Sequence, residues 1–199
     1  MMHRNFLLSF VIGITLWSVV AVADEQAAQR LRQEAEASLE AGNPVAAQMA
    51  LERAHASART IGDAYGQANA LRYVGELYIR MDNQKAADAV FSDAMTVALG
   101  AEPWYRKLSA VIAVVEMQHR LKEYTGVRKH GLKAIEAGLL EEIDAVRRTG
   151  EVRRFFAAMD GALLPGDVEA VLQRVRRISH PPLRRKVLYS LHVMEWGSQ

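Results

Sequence analysis

LRYVGELYIRMDNQKAADAVFSDA, residues 71–94, carries Leu71, Val74, Gly75 and Tyr78 on one stripe and Ala87, Phe91 and Ala94 on another, with Asp82-Asn83 between them. Spacings of three and four residues on both sides of a polar break predict two amphipathic helices joined by a short turn. Gly75 and Ala87 are small where two antiparallel helices must approach closely. Tyr78 and Phe91 are bulky enough to fill the space beside that contact, and Ala94 leaves room for the next element. The same pattern returns at an offset of 40 residues: Leu31, Leu71 and Val111; Ala35, Gly75 and Val115; Ala47, Ala87 and Val127; Leu51, Phe91 and Gly131; Ala54, Ala94 and Ala134. Self-similarity at this period marks units that stack because none can bury its apolar face alone. It weakens along the chain, since Ser38 stands where Tyr78 does and Gly131 stands where Phe91 does.

Alternation at a period of two is absent, and Ala, Leu, Glu and Arg fill long stretches at helical spacing, so the expected fold class is all-α. Gly42-Asn43-Pro44, Asp63, Asp82-Asn83, Gly100 to Pro103, Gly138, Gly161 with Pro165-Gly166-Asp167, and His180-Pro181-Pro182 punctuate the helices. They divide the chain into helices near 25–41, 44–60, 64–81, 84–99, 103–121, 124–137, 142–160, 167–178 and 183–196. Four antiparallel pairs and a terminal capping helix is the simplest count, and connections of two to six residues suit it. A second echo, Ile61 to Leu71 against Ile178 to Leu188, places the last helix in the same scheme.

The seven positions Leu71, Val74, Gly75, Tyr78, Ala87, Phe91 and Ala94 fall at the signature spacings of the tetratricopeptide repeat. Residues 25–137 resemble that family, with 40 residues per unit where the common motif has about 34. The resemblance implies an α-solenoid over residues 24–199 in which the first helix of each pair lines a concave face. The implied lining includes Gln29, Arg32, Glu36 and Leu39, then Asn69, Arg72, Glu76, Ile79 and Arg80, then Ser109, Ile112, Glu116, His119 and Arg120. Gln29, Arg32, Asn69, Arg72, Glu76, Arg80, Ile112, His119 and Arg120 are the candidate binding residues for a protein or peptide, held through charge-assisted bonds to recurring arginines and amides. An alternative stays open: Arg32 with Glu36 and Arg72 with Glu76 are four apart and can satisfy each other on one helix face.

Residues 1–23 read as an export signal: His3 and Arg4, an apolar core from Phe6 to Val20, and Ala21-Val22-Ala23 as a cleavage site. The alternative is an uncleaved anchor, but Phe6 to Ala23 is only 18 residues, the lower edge of a membrane span. Cleavage implies a periplasmic or secreted protein. The chain has no cysteine, which excludes disulfides, thiolate metal sites and a lipid-modified cysteine at the cut.

Past Ala23 the charge is nearly balanced, 24 basic against 23 acidic groups, but unevenly placed: residues 24–146 carry −4 and residues 147–199 carry +5. Arg147, Arg148, Arg153, Arg154, Arg174, Arg176, Arg177, Arg184, Arg185 and Lys186 make the basic end. That end suits an anionic envelope surface or an acidic protein, or simply balances the front half. No aromatic residues interleave with these arginines, so a nucleic acid is not expected. Self-assembly through exposed terminal helices is a further alternative. No catalytic or metal-binding motif is present, and His3, His55, His119, His130, His180 and His192 share no ligand spacing, although His119 and His130 could approach across a helix pair. Neither enzyme activity nor a cofactor or metal is expected. Glu141, Glu142 and Asp144 suit a helix start, and Trp104-Tyr105 suits packing.

Overall fold

The computed structural model describes residues 25–146 and 150–196, which are all-helical with no strand among them. The expected export segment, residues 1–23, lies outside this range. Ten helices follow in order: α1 (25–40), α2 (Pro44–Ala58), α3 (Ala64–Arg80), α4 (Gln84–Leu99), α5 (Trp104–Arg120), α6 (Tyr124–Glu136), α7 (Leu139–Val146), α8 (Gly150–Ala158), α9 (Pro165–Val175) and α10 (Pro181–Trp196). None of the described helices is long and apolar enough to cross a membrane. The chain forms two compact units, Met1–Val90 and Phe91–Gln199, with the division inside α4.

In the first unit α2 packs on α3. The turns into α2 and α4 share one design. Gly42 (φ +70°) and Asp82 (φ +57°) are left-handed; the N–H groups of Asn43 and Asn83 reach back to the carbonyls of Ser38 and Tyr78 at 2.9 Å. Those bonds satisfy carbonyls a helix end would otherwise leave unpaired. The asparagines then cap the next helix, their Oδ1 atoms accepting from Ala46 and Ala86 N–H at 3.1 and 3.2 Å. In the second unit Lys122 (φ +62°) occupies the same place, with Glu123 N–H bonded to Gln118 C=O at 2.8 Å. Three turns at 42, 82 and 122 thus repeat at the offset seen in the sequence.

The repeated apolar positions are the core. Ala35, Ala47, Leu51, Ala54, Leu71, Phe91, Ala94, Val111, Val115, Val127 and Ala134 are fully buried, and Leu31 is half-buried. Each fully buried large side chain among them contributes roughly 1.5–3 kcal/mol over an exposed one. Gly131, in the place of Leu51 and Phe91, leaves a vacancy that Met159 fills: a Cβ on Gly131 would sit 2.6 Å from Met159 Cε. In this unit α5 packs on α6 and α8, α6 on α7, and α10 on α8 and α9.

The single helix expected over 142–160 is instead α7 and α8, with residues 147–149 outside the described range. Helix α7 starts at Leu139, directly after the left-handed Gly138, and α9 and α10 start at Pro165 and Pro181, two residues earlier than expected. Proline at a first helical position costs nothing, since its missing N–H would be unpaired there.

Lysine in the left-handed region carries a Cβ penalty that glycine at the same turn position, as at Gly42, avoids. Lys122→Gly therefore raises stability by about 0.5–1 kcal/mol in urea unfolding, and Gly42→Ala lowers it.

Candidate functional site

Helices α1 and α3 of the first unit flank a cleft of about 330 Å³, lined among others by Gln29, Arg32, Gly66, Asn69 and Tyr73. Tyr73 is its centre. Arg72 stacks on the ring with its guanidinium carbon 4.0 Å from the centroid, and Arg32 approaches it at 5.1 Å, so one aromatic face system holds two cations. Each arginine is also tethered: Arg72 Nε donates to Asn69 Oδ1 at 2.9 Å, and Arg32 Nη1 to Glu36 Oε2 at 3.3 Å. Arg80 Nη1 shares Glu36 through its other oxygen at 3.4 Å. The Arg72 Nη groups make no hydrogen bond among the described residues. A fixed guanidinium with unused donors beside amide side chains is suited to a carboxylate.

Three of the candidate residues, Gln29, Arg32 and Asn69, line the cleft, and a fourth, Arg72, stands beside it on Tyr73 and Asn69. The Arg32–Glu36 pair forms, but the Arg72–Glu76 pair does not, because Asn69 and Tyr73 hold Arg72 instead. Tyr73 is absent from the sequence-derived lining, although Gly66, Asn69, Ala70 and Tyr73 form one stripe of three- and four-residue steps.

In the second unit the expectation changes. Ile112, at the position of Arg32 and Arg72, is fully buried and cannot line a groove; α5 is covered there by its neighbours. Glu116 is taken by Arg154 through two bonds of 3.0 and 2.8 Å. His119 is half-buried with its ring edge-on to Tyr124 at 5.8 Å, and Arg120 is exposed against Met117. Ser109, Trp104 and Tyr105 line a smaller cleft between α5 and Glu151 of α8, of about 280 Å³.

A buried polar constellation lies elsewhere, in the second unit. His130 is 1% exposed and Gln118 fully buried. With the proton on Nδ1, His130 donates to Gln118 Oε1 at 2.8 Å, and Nε2 accepts from the Ser92 hydroxyl at 3.2 Å. Lys129 Nζ donates to the same Ser92 oxygen, and Lys133 Nζ to Thr96 Oγ1, each at 3.0 Å. Gly126 must be glycine-sized because Gln118 Nε2 occupies the space a Cβ would need. His130 and His119 are not joined in one cluster, and among the described residues no group of three His, Cys, Asp or Glu could hold a metal ion. A part-buried ion pair, Arg128 with Asp167, is bidentate at 2.5 and 2.8 Å; Asp167 also accepts from Leu164 N–H and so fastens the start of α9. The Arg128 guanidinium holds that carboxyl below the usual carboxylate range.

Burial, reinforced by Lys129 and Lys133, pushes the His130 imidazole from 6.5 down to about 4. The folded state thus favours the neutral ring, so its contribution is fully present above the unfolded pKa near 6.5 and is lost as pH falls through about 4. Urea titrations across this window should show the native chain losing about 3 kcal/mol more than a His130→Gln variant, which has no proton to bind.

Comparison of the chain with protein-family models, with curated proteins and with solved structures finds no match.

Proposed function

We propose that the chain is a non-enzymatic, tetratricopeptide-like scaffold that binds a protein or peptide segment on the face that α1 and α3 form in its first unit. The observation that carries this reading is the α1/α3 cleft, where Arg32 and Arg72 are stacked on Tyr73 and tethered by Glu36 and Asn69. Preorganised donors lose little freedom on binding, so a carboxylate-bearing segment gains affinity there without a large ordering cost. The three repeated turns and the buried 40-residue register support the solenoid arrangement. The N-terminal charge, apolar run and Ala21-Val22-Ala23 support export to the periplasm or beyond the cell.

The test places a photocrosslinking residue at Asn69, or at Met49, which is 61% exposed on α2, and exposes the protein to an envelope extract. A discrete partner captured from position 69 but not from 49, and lost when Arg72→Glu is added, is the expected result. Equal capture from both positions, or capture indifferent to Arg72→Glu, removes the cleft from the binding surface.

A further inference from the structure

The second unit has a cleft of different chemistry between α8 and α10, of about 590 Å³, within the range of ligand-binding pockets. The exposed Ala157 is the apolar residue of its floor, with Phe156 fully buried beneath and edge-on to Phe155 at 5.5 Å. Tyr189 stands as its wall and is 72% exposed, an unusual position for an aromatic ring with an apolar floor beside it. Arg153 and Lys186 stand at the rim, with Asp160 the one carboxylate in the lining and Ser190 beside it. On the same helix as Tyr189, Arg184 and Arg185 are exposed. Arg153, Arg184 and Arg185 have no carboxylate partner among the described residues, unlike Arg154 and Arg174, which pair with Glu116 and Glu141.

We infer that this cleft is a docking site for an acidic segment of a partner protein, one that seats an apolar side chain against Tyr189 and Ala157 while flanking carboxylates meet Arg153 and the α10 arginines. Charge complementarity selects that occupant. Residues 147–199 carry +5, so a second copy docking this face on itself brings like charges together. An anionic membrane matches the charge, but a headgroup layer meets the rim and leaves the recessed floor unfilled. An exposed tyrosine beside an arginine is the composition of an interface hot spot. This site lies in the second unit and is independent of the α1/α3 cleft.

The probe is a random copolymer of glutamate and tyrosine, compared with poly-glutamate and with vesicles of phosphatidylcholine and phosphatidylglycerol in equal parts. The purified protein is expected to bind the copolymer about tenfold or more tighter than poly-glutamate, with weakening from low to physiological salt. Tyr189→Ala, at an exposed position where folding is indifferent, loses that preference; Tyr189→Phe keeps it; Arg153→Glu loses binding of both polymers. Equal binding of the two polymers, or a copolymer affinity unchanged by Tyr189→Ala, overturns the proposal. So does vesicle binding or self-association that depends on Tyr189, which assigns the cleft to a lipid surface or to a second copy. The Asn69 crosslinking experiment reads the other cleft, so either reading can fail alone.

Discussion

The structure depends on the small residues of its core, Ala47, Ala54, Ala87, Ala94 and Ala134, all fully buried. An alanine at such a position presents one methyl to its neighbours, and interiors packed to crystal-like density accept no more. Everything larger is arranged around that limit. Leu51 and Leu71 fill the flanks in the first unit, while Val111, Val115 and Val127 do so in the second. The turns at Gly42, Asp82 and Lys122 join successive helices with the same bonds each time.

The repeat is kept by backbone geometry more strictly than by side chains. Lys122 accepts a left-handed conformation that glycine would adopt more easily, and Glu123 stands where Asn43 and Asn83 cap. Gly131 has lost the bulk of its counterparts, and Met159 from beyond α8 supplies it. The flexible methionine suits an irregular vacancy of this kind. Departures that weaken the sequence match are therefore places where the second unit has found another way to fill the same space. The same unit also holds polar groups in and beside its core, with His130, Gln118 and Ser92 linked and the part-buried Arg128–Asp167 pair closing the start of α9.

The helices and their order were legible because amphipathic spacing and the Gly, Asn and Pro punctuation are local signals. The start of α7 at Leu139 was less so, since Glu141 and Glu142 look like a first turn wherever the helix begins nearby. At the α1/α3 cleft, the recurring Arg32 and Arg72 are positions that the structure brings together at Tyr73, and continuing the stripe from Asn69 would have reached Tyr73. Ile112 could not be judged from its own helix: its burial depends on the helices that pack on α5, among them α6 and the more distant α8. The His130 network has the same character, with partners 12 and 38 positions distant. Equivalent positions of the repeat give a polar cleft in one unit, with Arg32 and Arg72, and a packed core in the other, with Ile112.

The most direct test of this account compares Ala87→Leu with Ala89→Leu by chemical unfolding. Ala87 is fully buried and Ala89 is exposed on the same helix. The same added carbons should cost about 1–3 kcal/mol or more at Ala87, by overpacking the core, and almost nothing at Ala89. Equal effects at the two positions, or an Ala87→Leu protein as stable as the native chain, would mean that the small residues of the core do not set the fold.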